Sequence, residues 1–199
     1  MTAIAILLFD GVEELDAVGP WEVFSWAARE GEPPVPLSVF TVSRDGAPVT
    51  CGKGMVITPD HSFATAPEID VLLVPGGQGT RPMLKDEEML DWVRNTAAGC
   101  TWVTSVCTGA MVLAQAGLAK GKRITTYHSV VEPMREWSDA EVLSDVRFVR
   151  DGNLVTSAGV SAGIDMSLWL VGELAGVDYA RAVQQGIEYF PAPPYLYEV

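Results

Sequence analysis

Hydrophobic residues follow two patterns that alternate along the chain. Short runs rich in apolar residues cover positions 3–9, 37–43, 69–74 and 101–106. Each run predicts a β-strand, because a nearly unbroken apolar run is typical of a strand that is buried on both faces of a parallel sheet. The segments between the runs have a longer period and predict helices.

In those segments, apolar residues recur at helical spacing. Trp21, Phe24 and Ala28 share one face, and a stripe of this kind is expected to face the core and not to bind a cofactor. Pro20 suits the first turn of the same helix, and Ser161 suits the N-cap of a later one. The predicted helices cover residues 20–29, 83–98, 109–118, 164–175 and 178–189.

Two short antiparallel hairpins interrupt the alternation of strands and helices. Asp-Gly turns at 45–46 and 151–152 are typical of short hairpins. The turn at 45–46 leads into predicted strands at 49–50 and 55–58, and the turn at 151–152 lies between predicted strands at 146–150 and 154–157.

Alternating strands and helices predict an α/β fold, a three-layer sandwich built on a flavodoxin-like, mostly parallel sheet. The 199 residues, 48% of them hydrophobic, are enough for one compact domain over residues 1–199. In sheets of this kind, ligands bind outside the carboxyl ends of the strands. We therefore expect the functional residues in the loops that follow strands.

The charge distribution narrows the range of partners. The formal net charge is −13 and the 13 basic residues are scattered, which argues against nucleic acid as a partner. No apolar run approaches the length that spans a membrane, and the apolar amino terminus lacks the basic flank and cleavage site of a signal peptide. We expect a cytoplasmic protein that binds neither nucleic acid nor membrane.

Cysteine and histidine are too few for a structural framework. The chain has three cysteines without a CxxC spacing, Cys51, Cys100 and Cys107, and two histidines, His61 and His128. This set predicts neither a disulfide framework nor a zinc site. We expect no metal and no cofactor, and we expect Cys51 and Cys100 to be structural.

Cys107 lies where a predicted strand turns sharply into a helix. A side chain on such a turn is lifted out of the sheet beside the unpaired N–H groups of the helix start, and Gly109 leaves room for it. The partial positive charge of the helix end favours the thiolate, which is the reactive form of the thiol. A lone cysteine is otherwise more often a small buried apolar residue, but the turn favours a nucleophile.

Loops at the carboxyl ends of four strands should meet at one site. The glycines at 76–77 allow backbone N–H groups to approach a ligand, as an oxyanion hole requires, with a plain turn as the alternative. A short strand predicted at 121–128 ends in Tyr127 and His128. Together the loops contribute Glu13, Glu14, Asp16, Gly76, Gly77, Cys107, Thr108, Tyr127 and His128.

Motifs over nearly the whole chain resemble the ThiJ/PfpI superfamily, which has a class I glutamine-amidotransferase-like, flavodoxin-type fold. The superfamily elements are Pro-Gly-Gly at 75–77 and Ser-Val-Cys-Thr-Gly at 105–109. Ala-Gly-Ile-Asp at 162–165 and Tyr-Phe-Pro-Ala-Pro-Pro at 189–194 resemble the isonitrile (isocyanide) hydratase branch. The resemblance implies a cofactor-independent hydro-lyase that converts isocyanides to N-substituted formamides.

The resemblance also implies a catalytic pair. In the family an acidic residue of the first β–α loop lies against the cysteine sulfur, and the Leu-Asp pattern puts Asp16 at that position. Glu13 and Glu14 are its local competitors. In the implied mechanism Cys107 attacks the terminal isocyanide carbon, and Asp16 acts as general acid and then as general base.

Backbone and aromatic groups complete the predicted binding site, which consists of Gly76, Gly77, Thr108, Tyr127 and His128. The Gly77 and Thr108 N–H groups would hold developing charge. Thr108 stands where the protease-like branch has a histidine, so peptidase activity lacks its usual base. Tyr127 occupies a strand end where hydratase-like relatives have a histidine, and for His128 a structural hydrogen bond is an equally good explanation.

Other functions and the quaternary structure stay open. The same thiol suits glyoxalase-like or deglycase-like chemistry on α-oxoaldehydes, and a cysteine beside a carboxylate also suits a redox sensor or ligand-binding module. The resemblance implies a homodimer that acts on a small electrophile. The aromatic tail at 190–197 would bury its rings in the dimer interface or on its own domain.

Overall fold

The computed structural model describes residues 1–191 and is organised around a seven-stranded sheet. The order of the sheet strands is β10-β11-β7-β6-β1-β2-β5, and the pairs are parallel except for β10 with β11 at one edge. The strands are β1 (Thr2–Leu7), β2 (Leu37–Ser43), β3 (Val49–Thr50), β4 (Val56–Ile57), β5 (His61–Ser62), β6 (Val71–Val74), β7 (Trp102–Val106), β8 (Arg123–Ile124), β9 (Glu141–Val142), β10 (Phe148–Asp151) and β11 (Leu154–Ser157).

Helices pack on the sheet in two groups and form the outer layers. One group contains α1, α6 and α7, which contact one another, and the other contains α2, α3 and α4. The predicted α/β sandwich with a mostly parallel sheet is therefore confirmed. The helices are α1 (Glu14–Arg29), α2 (Thr80–Met83), α3 (Glu87–Gly99), α4 (Gly109–Gln115), α5 (Val131–Trp137), α6 (Ala162–Ala175) and α7 (Val177–Gly186).

The strand that starts the chain lies deep in the core. Residues Ile4 to Leu7 of β1 are completely buried, as the unbroken apolar run predicts. β1 is hydrogen-bonded to β2 on one side and to β6 on the other. Both predicted hairpins are present as the pairs β3–β4 and β10–β11. No helix within residues 1–191 is both long and apolar enough to cross a membrane.

The first helix begins earlier than its pattern predicts. It starts at Glu14, so Pro20 lies inside α1 and not in its first turn. Asp16 and Ala17, near the start of the helix, are buried against the rest of the protein. Tertiary packing therefore outweighs the local preference of proline.

The segment predicted as one helix at 83–98 contains a break. The short helix α2 ends at Met83, and α3 begins after Asp86. A carboxylate oxygen of Asp86 accepts the N–H of Met89 at 3.1 Å, and this N-cap starts a new helix.

The ends of the last two helices also differ from the prediction. Ser161 stands at the N-cap position of α6, but its side chain makes no capping hydrogen bond. Its hydroxyl oxygen instead accepts Nη2–H of Arg147 at 3.2 Å. α7 ends at Gly186, short of the predicted end at 189. The tail at 192–199 lies outside the described residues.

The strand predicted at 121–128 is wrong in extent and in location. Only β8 forms there, and it pairs in parallel with β9 outside the central sheet. Tyr127 and His128 come after the strand, at the start of a 3₁₀ turn that leads into α5. Directly after β8, the Thr125 N–H donates to a side chain of the central sheet, Thr156 Oγ1 of β11, at 2.8 Å.

Candidate active site

The backbone turn at Cys107 has the geometry of a nucleophile elbow. Cys107 joins β7 to α4 with a φ of 58°, which is rare for a residue other than glycine. Its N–H donates to the carbonyl oxygens of Ser157 and Ala158 at 3.2 and 3.1 Å. A Cβ atom at Gly109 would lie 2.0 Å from the Val74 carbonyl oxygen, so only glycine fits there. Neighbouring strands therefore hold the predicted elbow.

Asp16 is the acidic residue that lies against the thiol. It is on the first turn of α1 and is completely buried. Its Oδ2 accepts the Gly76 N–H at 2.9 Å, and its Oδ1 has no hydrogen-bond partner within residues 1–191. A buried, unpaired carboxyl oxygen is costly, and such groups are concentrated where a ligand or a proton is handled.

The electrostatics of the pair favour its protonated forms. Burial raises the pKa of Asp16 to about 7, although the Gly76 N–H and the Cys107 thiol oppose this rise. Burial, with the Asp16 charge as the next cause, raises the pKa of Cys107 to about 12. Cys107 is only 6% exposed. Burial thus acts against the thiolate that the helix end was expected to favour, and the ionisation state of Cys107 stays a prediction.

Thr108 connects the elbow to the glycine loop. Its Oγ1 accepts the Gly77 N–H at 3.0 Å and donates to the Gly77 carbonyl oxygen at 3.2 Å. Arg81, which the sequence analysis did not identify, donates through Nη1 to the Gly77 carbonyl oxygen at 2.8 Å and to Thr108 Oγ1 at 3.3 Å. The Gly77 N–H is thus already engaged, and the structure does not support its predicted role as an oxyanion donor.

Gly76 contributes to the site through close packing. A Cβ atom at this position would lie 2.5 Å from the Thr108 nitrogen and 2.8 Å from Asp16 Oδ2. The absence of a side chain at Gly76 therefore allows the loop after β6 to reach both the carboxyl group and the elbow. Its N–H is a ligand of Asp16 and is not free to bind substrate.

Tyr127 and His128 line a cavity of about 420 Å³, and the elbow residues Cys107 and Thr108 are not in its lining. Thr126, in the same lining, donates its hydroxyl to the Cys107 carbonyl oxygen at 2.8 Å. The Tyr127 and His128 rings lie 4.3 Å apart, centre to centre. Their predicted role in binding substrate stays a prediction.

Sequence reasoning also missed Val160. Its backbone lowers the pKa of both the Cys107 thiol and the Asp16 carboxyl. The position after β11, at the carboxyl end of a central strand, was the only available signal. Within the described part of the chain, no group of three His, Cys, Asp or Glu side chains is arranged to hold a metal ion.

Replacing Asp16 by asparagine should remove a pH dependence of stability. The folded-state pKa of Asp16, about 7, lies above its ordinary value of 3.8. The stability that the protonated carboxyl contributes is therefore present below about pH 4 and lost as the pH rises to 7. Each pKa unit corresponds to about 1.4 kcal/mol, so the free energy of unfolding should fall by on the order of 4 kcal/mol. Asp16→Asn should thus be more stable than the unmodified protein at pH 8.

Urea denaturation at pH 5 and at pH 8 measures this effect. The unmodified protein should lose stability between these values, and Asp16→Asn should lose much less. Asp178→Asn, at a position that is 97% exposed on its side chain, is the matched control and should keep the unmodified dependence. An unchanged dependence in Asp16→Asn would show that the buried carboxyl is ionised at pH 5.

Comparison with known proteins gives a consistent set of relatives. The model of the DJ-1/PfpI family matches residues 2–173. An isonitrile hydratase of Pseudomonas putida is 45% identical over 195 residues, which cover 96% of this chain and 80% of the relative. The crystal structure of a ThiJ/PfpI family protein from Pseudomonas syringae has a TM-score of 0.88 and 34% identity, covering 98% of this chain and 78% of that one.

A more distant relative has the same fold. DJ-1beta of Drosophila melanogaster is 28% identical over 185 residues, which cover 92% of this chain and 94% of the relative. Its crystal structure has a TM-score of 0.82 and 27% identity, covering 96% of this chain and 99% of that one.

Proposed function

Because this chain belongs to the DJ-1/PfpI family and is similar over most of its length to an isonitrile hydratase, we propose that it adds water to isonitriles and releases N-substituted formamides. The observation that carries the proposal is the buried pair of Cys107 and Asp16. A carboxyl group with a pKa of about 7 can both give and take a proton near neutral pH, and hydration requires both steps.

Before the first step, Cys107 and Asp16 together carry one proton. Asp16 transfers this proton to the terminal carbon of the isonitrile as the Cys107 sulfur attacks the same carbon. A C–H bond and a C–S bond form, and the carbon–nitrogen bond order falls to two. The product is a thioimidate on Cys107 beside an Asp16 carboxylate.

In the second step, the Asp16 carboxylate takes a proton from water as the water oxygen adds to the thioimidate carbon. Asp16 then gives this proton to the nitrogen. When the adduct collapses, the C–S bond breaks, the sulfur leaves as thiolate, and the hydroxyl proton passes to Asp16. The formamide departs, and the pair again holds one proton.

The Thr108 N–H supports the anionic sulfur in both steps. The Thr108 backbone lowers the pKa of the Cys107 thiol. A backbone donor held at the start of α4 needs no reorganisation when charge develops on sulfur. Gly76 and Thr80 act indirectly, since Gly76 holds Asp16 and Thr80 donates to Thr108 Oγ1 at 3.2 Å.

The competing functions fit this geometry less well. A redox-sensing cysteine is accessible to oxidants, whereas the Cys107 side chain is buried. Chemistry on α-oxoaldehydes uses the same thiol, so the experiment also measures the consumption of an α-oxoaldehyde.

The test is to mix the purified protein with cyclohexyl isonitrile and to follow N-cyclohexylformamide by NMR. We expect formamide to form at a rate proportional to protein concentration. A parallel reaction follows the loss of methylglyoxal. Methylglyoxal consumption without formamide would overturn the proposal in favour of oxoaldehyde chemistry, and turnover of neither compound would reject both activities.

We also propose that the protein is a cytoplasmic homodimer. Exposed apolar side chains support a dimer: Leu15, Met55 and Val56 lie on α1 and the β3–β4 hairpin. Met55 also lines a cavity of about 300 Å³, together with apolar residues that include Trp21. Such a patch on a folded chain is typical of an interface.

Val56→Asp should weaken this dimer. Light scattering after size-exclusion chromatography should give a dimer mass for the unmodified protein and a lower mass for Val56→Asp at micromolar concentration. Val177→Asp is the matched control, because the two valines are 62% and 63% exposed. A monomeric unmodified protein would contradict the dimer, and a dimeric Val56→Asp would place the interface elsewhere.

A further inference from the structure

Arg81, on the short helix α2, contacts the loops of the active site through a single nitrogen atom. Its Nη1 lies 2.8 Å from the Gly77 carbonyl oxygen, 3.1 Å from Thr80 Oγ1 and 3.3 Å from Thr108 Oγ1. Within residues 1–191 it forms no ion pair, although the chain carries 26 acidic residues. Uncharged oxygen atoms of the active site therefore orient this guanidinium.

These contacts restrict the direction of the Thr108 hydroxyl proton. Arginine has only hydrogen-bond donors, so an oxygen atom that faces its guanidinium must act as an acceptor. Thr108 Oγ1 also accepts the Gly77 N–H at 3.0 Å. Both lone pairs of the hydroxyl oxygen are thus directed at N–H donors, and the hydroxyl proton points away from both nitrogen atoms.

The Gly77 carbonyl oxygen can accept this proton, but it has two closer donors. The Thr80 hydroxyl and Arg81 Nη1 both lie 2.8 Å from that oxygen, and the Thr108 hydroxyl lies at 3.2 Å. A carbonyl oxygen has two lone pairs. The Thr108 hydroxyl is therefore the third and weakest donor, and another acceptor can easily take its proton.

The Thr108 hydroxyl also borders the carboxyl group of the catalytic pair. A Cβ atom at Gly76 would lie 2.7 Å from Thr108 Oγ1 and 2.8 Å from Asp16 Oδ2, so both oxygen atoms line the same narrow space. Thr108 is buried, and a hydrogen bond that is shielded from water is stronger than an exposed one. A free hydroxyl proton at this position is a donor for the reaction.

We propose that Arg81 is a positioning residue, which occupies the Gly77 carbonyl oxygen and the Thr108 hydroxyl oxygen and so leaves the Thr108 proton free for an acceptor in the active site. Without Arg81, a lone pair of the Gly77 carbonyl oxygen becomes vacant, and the Thr108 hydroxyl donates to it. The role in turnover rests on the proposed hydration, but the direction of the hydroxyl proton does not.

A first test of this direction needs no substrate. The exchange of the Thr108 hydroxyl proton for deuterium is followed through the isotope shift of its Cβ signal in ¹³C-threonine-labelled protein, and Thr108→Val assigns that signal. In Arg81→Met, the stronger hydrogen bond to Gly77 should slow the exchange about fivefold. A merely structural role predicts faster exchange, because loosening would admit water to a residue that is only 2% exposed.

A second test measures turnover of cyclohexyl isonitrile. In Arg81→Met, kcat should fall about tenfold with KM nearly unchanged, because the lost donor acts on the reacting atoms and not on substrate binding. Arg81→Lys should recover part of kcat, since an ammonium group is also only a donor. Slower exchange together with a normal kcat would overturn the role in turnover.

Arg94→Met is the matched control. Arg94, on α3, is half-buried like Arg81, and its Nε donates to the Ala116 carbonyl oxygen at 3.2 Å, away from the glycine loop. It should leave the hydroxyl exchange and kcat unchanged. Unchanged or faster exchange in Arg81→Met, or equal slowing in Arg94→Met, would overturn the proposal.

The two proposals fail separately. Slower hydroxyl exchange in Arg81→Met of a protein that hydrates no isonitrile would reject the proposed function and support the positioning of Thr108. Isonitrile hydration with normal exchange and normal kcat in Arg81→Met would do the reverse.

Discussion

Formamide production is expected to fall by at least about 10⁴-fold when Cys107 is replaced by alanine, because no other group in the site can form the thioimidate. The substitution removes one sulfur atom at a position whose backbone is held by Ser157 and Ala158, so the fold should survive. The measurement is the NMR assay with cyclohexyl isonitrile, with circular dichroism to verify folding.

The other two cysteines provide matched controls. Cys51 and Cys100 are buried like Cys107, and Cys100 Sγ is engaged with the Ile69 carbonyl oxygen at 3.3 Å. Cys51→Ala and Cys100→Ala should retain turnover, with at most some loss of stability. Turnover that persists in Cys107→Ala would reject covalent catalysis, and a loss shared by all three variants would indicate general destabilisation.

Asp16→Asn should slow hydration by about 10²- to 10⁴-fold, the usual contribution of a positioned acid or base. Asparagine can still accept the Gly76 N–H through its amide oxygen, so the loop geometry should persist. It cannot move a proton to the isonitrile carbon or take one from water. Single-turnover kinetics should show slow formation of the thioimidate and slow hydrolysis.

Two variants make this result specific. Asp178→Asn makes the same chemical change at an exposed position of α7 and should leave turnover unchanged. Glu13→Gln tests the nearest competitor, whose carboxylate forms an ion pair with Lys53. Full activity in Asp16→Asn together with a large loss in Glu13→Gln would transfer the acid–base role to Glu13.

The strands of the central sheet were predictable because burial on both faces leaves an unbroken apolar signal. The predicted run at 37–43 matches β2, and the run at 101–106 matches β7 closely. The edge strand β5 was not predictable, since a parallel pairing of His61 and Ser62 with β2 leaves no local pattern. The break before α3 depended on an Asp86 cap inside an otherwise helical pattern.

By itself, the sequence determined the class of fold, the elbow at Cys107 and, through the family resemblance, the partnership with Asp16. The apolar pattern of each segment and the loops that follow parallel strands can be read from the sequence. These features could therefore be inferred from the sequence.

Only the tertiary structure decided which groups are available for chemistry. It engaged the Gly77 N–H with Thr108, and it buried the Cys107 thiol beside Asp16, which raises the pKa of the thiol. The physical reason is that desolvation and backbone donation arise between segments far apart in the chain. A pattern within one segment carries no information about the groups that other segments bring against it.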